Sequence, residues 1–243
     1  MHAAVVTGGS RGIGRAVVER LVRDGATVVF GYASDGRAAR QVEEACGGRA
    51  VAVRADSADP DQVERLFATA DRVFDERAAG PLSALVNNAG VIDHTRVDEL
   101  TAEVFERVMA VNARGAFLAV RAAARRMGDG GRIVNVSSTA TAWPSAGESV
   151  YAASKAAVEQ LTRVASRELG PRGITVNTVS PGPTDTDMLR TGAPPEAVAG
   201  VAGLTALGRV GTPADVAAAV ALLLGPDAAW VTGHNLVADG GLV

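Results

Sequence analysis

Apolar positions along the chain fall into two alternating patterns. Short runs rich in Val, Ile and Ala occupy 3–7 (AAVVT), 27–32 (TVVFGY), 50–56 (AVAVRAD), 82–88 (LSALVNN), 132–138 (RIVNVSS) and 174–180 (ITVNTVS). These read as strands, and the first, second and fifth are nearly continuous in apolar residues, as expected of strands covered on both faces. Between them the spacing turns helical over 12–23, 37–45, 60–78, 102–127 and 150–169. Gly25, Gly47 and Gly48 stand where helices end, and Pro60 stands where one begins. A last short strand is expected over 235–238. Strand and helix alternate throughout, which predicts an α/β fold: a doubly wound, Rossmann-like parallel sheet of about seven strands with helices on both faces. No linker, repeat or low-complexity tract divides the chain, so 1–243 reads as one domain.

Composition narrows the function. The chain is 47% hydrophobic and 21% charged, ordinary for a globular protein with a substantial core. A net charge of −3 gives no basic field for nucleic acid. The single cysteine, Cys46, excludes an internal disulfide framework and fits a reducing, cytoplasmic setting; near a helix end it reads as a small hydrophobe. The opening MHAAVVTGG lacks the charged leader and apolar run of a signal peptide, and VAAAVALLLG is too short to span a bilayer, so no membrane attachment is expected. No cluster has metal-ligand spacing, so no metal is expected.

Two stretches carry candidate chemistry. TGGSRGIG joins the first strand to the first helix, where glycines let backbone approach a pyrophosphate held at the helix N-terminus. Its glycines, Gly8, Gly12 and Gly14, depart from the G-x-G-x-x-G spacing, and its position after the first strand is what makes it a candidate. The second stretch, SVYAASKAAVEQLTR, holds Lys155, the only lysine among 24 Lys and Arg residues. Tyr151, one of two tyrosines, precedes it by four residues. On a helix the two side chains face the same way. A cation beside a phenol lowers the tyrosine pKa, and lysine is a compact point charge where arginine is a bulkier fork. A tyrosine so tuned trades a proton near neutral pH. The plainer reading of the spacing alone is a tyrosine ring packed on a lysine stem.

Further motifs decide between these readings. Thr7, Gly8, Gly12 and Gly14 form T-G-x-x-x-G-x-G; Asn87, Asn88, Ala89 and Gly90 follow the fourth strand; Ser138 lies thirteen residues before Tyr151. Asn112 sits in AVNARGAF, Pro181–Gly182 follows the sixth strand with Thr186 just beyond, and VTGHNLVADGG lies near the end. In this order the motifs resemble the short-chain dehydrogenase/reductase family in its compact single-domain form, over 3–241. The resemblance implies an oxidoreductase that interconverts a ketone and a secondary alcohol by hydride transfer. It implies Tyr151 as general acid/base, Ser138 as hydrogen-bond donor to the same substrate oxygen, Lys155 on the nicotinamide ribose while tuning Tyr151, and Asn112 holding a relay water. Cofactor contacts are implied at Thr7, Gly8, Ser10, Arg11, Gly12, Ile13 and Gly14 in the turn, and at Tyr32, Ser34, Asp56 and Ser57 after the second and third strands. Further contacts are implied at Asn88, Ala89, Gly90, Pro181, Gly182, Thr184 and Thr186, beside Tyr151 and Lys155.

The pattern is most similar to bacterial 3-oxoacyl-[acyl-carrier-protein] reductases, which implies a 3-oxoacyl thioester substrate and a homotetramer or homodimer. Tyr32 stands where NAD-dependent members carry Asp, and Arg11 lies where NADP-dependent members are basic, so NADP(H) is expected over NAD(H). Ser34 and Arg37 add donors, and Asp35 reads as a helix N-cap. Segment 185–211 falls where the family has its substrate lid, with Met188, Leu189, Val198 and Leu204 either lining a pocket or packing the lid onto the body. Trp143 is a candidate wall of the substrate site, with simple packing as the equal alternative, and His94 reads as a solvated loop residue, with approach to the pocket as the alternative. Arg125, Arg126 and Arg172 read as solvated cations, with docking of an acidic acyl carrier as the alternative. Two rivals stand beside the reductase: a nucleotide-sensing protein that has lost the chemistry, and an epimerase or dehydratase of the same superfamily, which 243 residues leave no room for. Other small ketones, steroids or sugars are alternative substrates.

Overall fold

The computed structural model describes residues 2–192 and 195–243. Among them, seven strands form one sheet: β1 (Ala3–Thr7), β2 (Thr27–Tyr32), β3 (Ala50–Arg54), β4 (Ala84–Asn87), β5 (Arg132–Val136), β6 (Thr175–Pro181) and β7 (Asn235–Ala238). The order is β3-β2-β1-β4-β5-β6-β7, and every adjacent pair is parallel. The helices are α1 (Gly12–Arg23), α2 (Gly36–Ala45), α3 (Pro60–Glu76), α4 (Ala102–Met109), α5 (Gly115–Arg126), α6 (Ser149–Leu169), α7 (Asp187–Gly192), α8 (Pro195–Leu204) and α9 (Pro213–Leu224).

The period of two along each strand explains the layers. In β1, Ala4 and Val6 enter a core with Val17, Val18 and Leu21 of α1, Val42 of α2 and Val220 of α9. Ala3 and Val5 face the other way, toward Leu66, Phe67 and Phe74 of α3, Leu118 of α5 and Ala165 of α6. β2 divides likewise, Phe30 to the first core and Val29 to the second. Both faces are dry, which is why these strands need no polar alternation. Each fully buried Phe or Leu contributes roughly 1.5–3 kcal/mol.

Local signals set the boundaries. Asp35 caps α2 by accepting from the Ala38 N–H at 2.9 Å, and Asp59 caps α3 through the N–H groups of Asp61 and Gln62. Cys46 is buried where α2 ends. The expected helix over 102–127 is not continuous: α4 and α5 are separated by Ala110–Arg114, a five-residue turn wound more widely than an α-helix. No helix among the described residues is long and apolar enough to cross a membrane.

The jump in strand order lies between β1 and β4. In an open α/β sheet the crevice outside the carboxyl ends of the strands at such a reversal is where a ligand binds. The glycine turn leaves β1 there, and Asn88–Gly90 leaves β4 beside it.

Candidate active site

A cleft of about 1060 Å³ opens at this end of the sheet. Ser10, Arg11, Gly12 and Ile13 of the glycine turn line it, with Tyr32 and Ser34 after β2 and Asp56 and Ser57 after β3. Gly8, Asn88, Ala89, Gly90, Pro181, Gly182, Thr184 and Thr186 complete this half. Two expected contacts stand behind the wall instead. Thr7 is buried, and its Oγ1 accepts the N–H groups of Asn88 and Ala89 at 3.0 and 3.1 Å. Gly14 is buried too; a Cβ there would collide with the Gly8 carbonyl oxygen and the Asn88 side-chain amide. These two residues shape the turn without facing the cleft. Arg37 does not line the cleft either, but Arg54, read only as a strand end, donates to the Ala33 carbonyl at 3.3 Å and adds a cation beside the rim.

The chemistry sits at the floor. Tyr151 and Lys155 share one face of α6, with Lys155 Nζ 5.8 Å from the Tyr151 ring centroid. Ser138, beyond the end of β5, lies close enough to the Tyr151 phenol to oppose the rise of its pKa, and its own Oγ accepts from the Ala140 N–H at 3.1 Å. Lys155 is 4% exposed and donates to the Val136 carbonyl at 2.9 Å. Burial pushes its pKa down to about 8, so it stays charged at neutral pH. The expected fall of the Tyr151 pKa is not seen in the polypeptide by itself. Burial pushes the phenol up, the charge of Glu148 adds to that, and the Ser138 hydroxyl opposes it. The helical spacing puts the pair on one face as read, but burial dominates the phenol, and the ammonium is not among the groups that shift it.

Asn112 lies in the wide turn, buried behind the cleft. Its Oδ1 accepts from the Val91 N–H at 2.8 Å, and its Nδ2 donates to the Val91 carbonyl and Ser154 Oγ, both at 2.9 Å. Asn112, Asn87 and Lys155 line a small cavity of about 10 Å³, close to what one water needs. The buried Asn87 Oδ1, beside it, has no hydrogen-bond partner among the described residues.

Sequence reasoning missed two carboxylates. Glu159 follows Lys155 by one helical turn, and its Oε1 accepts from Ser137 Oγ and Thr141 Oγ1, both at 2.8 Å, and from Ser180 Oγ at 3.4 Å. Ser137 and Thr141 bracket Ser138, so this carboxylate clamps the loop that presents it. The signal was the continuation of the Tyr151, Lys155, Glu159 spacing. Glu148, one turn before Tyr151, also lines the cleft. In the same half lie Trp143, Met188, Leu189 and Leu204, all expected, together with Val201 and Arg107. Val198 is half-buried away from it. His94 is an exposed loop side chain, as expected, and it also lines the cleft, 3.8 Å from Glu148 and under Gly192, where a Cβ would stand 2.7 Å from its Nε2.

Comparison with known proteins gives the site its relatives. A family model described as enoyl-(acyl carrier protein) reductase matches residues 8–243. The short-chain dehydrogenase/reductase from Serratia marcescens BCRC 10948 is 44% identical, with a TM-score of 0.93 over 99% of this chain and 97% of that one. The chain belongs to the short-chain dehydrogenase/reductase family. As a member it is an oxidoreductase. The angucycline C-6 ketoreductase LanV, solved with bound NADP, is also 44% identical, with a TM-score of 0.93 over 99% of this chain and 95% of that one. NADPH-dependent aldehyde reductase 2, chloroplastic, of Arabidopsis thaliana is 38% identical over 257 residues, 99% of this chain and 93% of the relative.

The residues of this short-chain dehydrogenase/reductase fit a dinucleotide. Gly12 has φ +54°, and a Cβ on it would stand 3.3 Å from Thr186 Cγ2, filling the gap a pyrophosphate needs. Arg11, at the N-cap of α1, makes no side-chain capping bond, so no side chain caps the first-turn N–H groups. The carrier-docking alternative for its arginines loses ground. Arg126 pairs with Glu64 and Asp71, and Arg172 donates to the Ala124 and Met127 carbonyls and to Asp129. These residues end α5 and precede β6, at the opposite end of the strands from Ser138.

Proposed function

We propose that this protein is an NADP(H)-dependent reductase of a ketone or aldehyde on a free small molecule. The observation that carries the reading is the convergence of Ser138, Tyr151 and Lys155 at the floor of a dinucleotide-shaped cleft. The cofactor supplies or accepts the hydride. Tyr151 gives the proton to the substrate oxygen, or takes it in the reverse direction, while the Ser138 hydroxyl donates to that oxygen as negative charge develops. Lys155 keeps two ammonium donors free for ribose hydroxyls, with its charge 5.8 Å from the Tyr151 ring centroid. Asn112 fixes the Val91 backbone beside the small cavity, where we place the relay water. Segment 185–211 acts as the lid of a single domain spanning 1–243. Preference for NADP(H) is supported by Arg11 and Tyr32 at the rim, by Asp35 being committed to the Ala38 N–H, and by the NADP bound in the ketoreductase relative. A 3-oxoacyl thioester remains one candidate substrate, without support for a docked carrier. Exposed Phe105, Phe117 and Val164 on α4, α5 and α6 suit a homo-oligomer, dimer or tetramer, and a cytoplasmic setting fits the free Cys46.

The test is a panel of ketones, aldehydes, sugars and 3-oxoacyl thioesters followed by nicotinamide absorbance with each cofactor. NADPH should exceed NADH in kcat/KM, and Arg11→Ala should cut that preference about tenfold, the loss of one charge-assisted contact of about 1.4 kcal/mol. Preference for NADH would overturn the cofactor reading. Absence of turnover with every substrate would favour the nucleotide-sensing alternative.

A further inference from the structure

Glu148 stands out among the groups facing the reacting centre. It occupies the N-cap position of α6 and makes no side-chain cap. Its side chain is only 19% exposed. Among the described residues no hydrogen-bond donor reaches its carboxylate; the His94 Nδ1 is 3.8 Å away. Its position one helical turn before Tyr151 puts it on the same face as the phenol, inside the substrate half of the cleft. Burial raises its pKa and His94 opposes the rise. A half-buried carboxylate in a cleft wall, with no donor from the described residues, keeps its lone pairs open to whatever enters the cleft. The positive end of α6 and His94 favour its charged form without occupying its lone pairs.

We propose that Glu148 selects the substrate: it accepts a hydrogen bond from a hydroxyl or ammonium group carried near the reacting carbonyl, and it repels substrates that carry an anion there. The inference rests on the reductase reading. The chemistry it implies is a polyol-type, hydroxylated or amino ketone or aldehyde rather than a keto acid. Two features of the surroundings fix the loop that carries Glu148. Gly147 has φ +86°, and a Cβ on it would stand 2.7 Å from the His94 carbonyl oxygen, so the loop before Glu148 is pressed against the His94 backbone. On its far side His94 lies against Gly192 of α7. The acidic wall is therefore built from three separate segments, held together where the substrate must enter.

The experiment compares three methyl ketones of equal chain length, ending in a methyl, a hydroxyl and a carboxylate. Wild type should favour the hydroxyl over the carboxylate by about 100-fold in kcat/KM, and Glu148→Gln should shrink that ratio about tenfold or more, as expected for one charge removed from a partly desolvated site. The ratio is the informative quantity, because any effect of Glu148 on Tyr151 acts on all three substrates alike and cancels. Glu148→Asp should keep the preference in direction. Wild type that reduces the carboxylate as well as the hydroxyl compound, or a ratio that Glu148→Gln leaves within about threefold of wild type, overturns the proposal. Binding of the same compounds to the NADP⁺-loaded protein, read through the fluorescence of Trp143 in the cleft, should give the same order without turnover. Loss of all turnover with that order intact would sink the reductase reading and uphold the selectivity of Glu148; equal binding of all three would overturn the selectivity itself.

Discussion

Replacing Lys155 with methionine should destroy activity and stabilise the cofactor-free protein. The ammonium is 4% exposed and has one acceptor, the Val136 carbonyl at 2.9 Å. Burial takes its pKa from 10.5 to about 8. At about 1.36 kcal/mol per pH unit, keeping the charge buried at neutral pH costs about 3 kcal/mol. Proton counting gives the sign. Below about 8, folded and unfolded chains both carry the proton and the full cost applies. Between about 8 and 10.5 the unfolded chain binds more protons, so stability rises with pH, and above 10.5 the cost has gone. Methionine fills a similar volume without charge but leaves the Val136 carbonyl without this donor, a loss of about 1 kcal/mol. Lys155→Met should therefore gain about 2 kcal/mol at neutral pH, or about 4–8 °C in Tm for a chain of this size. The assay is urea unfolding of both proteins without cofactor, from neutral pH to above the free lysine pKa. The advantage should shrink as pH rises and end as a small deficit. A variant no more stable than wild type at neutral pH, or a difference that stays flat with pH, would refute the reasoning.

Three other outcomes are expected. Gly14→Ala should weaken NADPH binding by at least about 100-fold, because the added methyl collides with the Gly8 carbonyl oxygen and the Asn88 amide that shape the cofactor turn; calorimetric titration giving wild-type affinity would contradict this. Glu159→Leu should lower kcat about tenfold with KM for NADPH little changed, Glu159→Gln should restore most of it, and the same change in a Ser138→Ala background should cost less than about twofold. Equal losses in both backgrounds would mean that Glu159 is only structural. Sedimentation should find a homo-oligomer, and a monomer at micromolar concentration would overturn the assignment of Phe105, Phe117 and Val164 to an interface.

The sheet was legible because its strands are covered on both faces. An apolar run such as TVVFGY leaves little choice of state, and β1, β2 and β7 begin and end where the pattern does. The helix 102–127 was read as continuous because hydrophobic spacing does not distinguish a wide turn from an ordinary one over a few residues. Within the site, residues in a recurring motif were found, but their orientation was not. Thr7, Gly14 and Asn112 act from behind the wall, through backbone contacts that no side-chain pattern encodes. Glu148 and Glu159 were passed over because a glutamate on a helix is ordinarily solvated. Only the packing of α6 against the β5 and β6 ends turns one into a clamp and the other into a lining group. The arginines near the end of α5 were easier: a chain that uses arginine throughout ties several of them to nearby carboxylates and carbonyls.

The wide turn at Ala110–Arg114 also limits how this chain can change in length. It holds one residue more than an α-helical turn, and each residue of an α-helix advances the next by about 100°. Deleting one residue there would restore an unbroken helix and relax the local backbone. The wider winding absorbs the extra residue, so such a deletion would leave Ala119 and Ala123 in the core beneath the sheet and Val108 where it is. What it would move is Asn112, which the turn carries beside the small cavity. A deletion in the regular part of α4 or α5 has no such allowance and would swing every later position of that helix by about 100°. Selection on length therefore acts here through one side chain and not through a helix face: a shortened turn keeps the fold and loses the site.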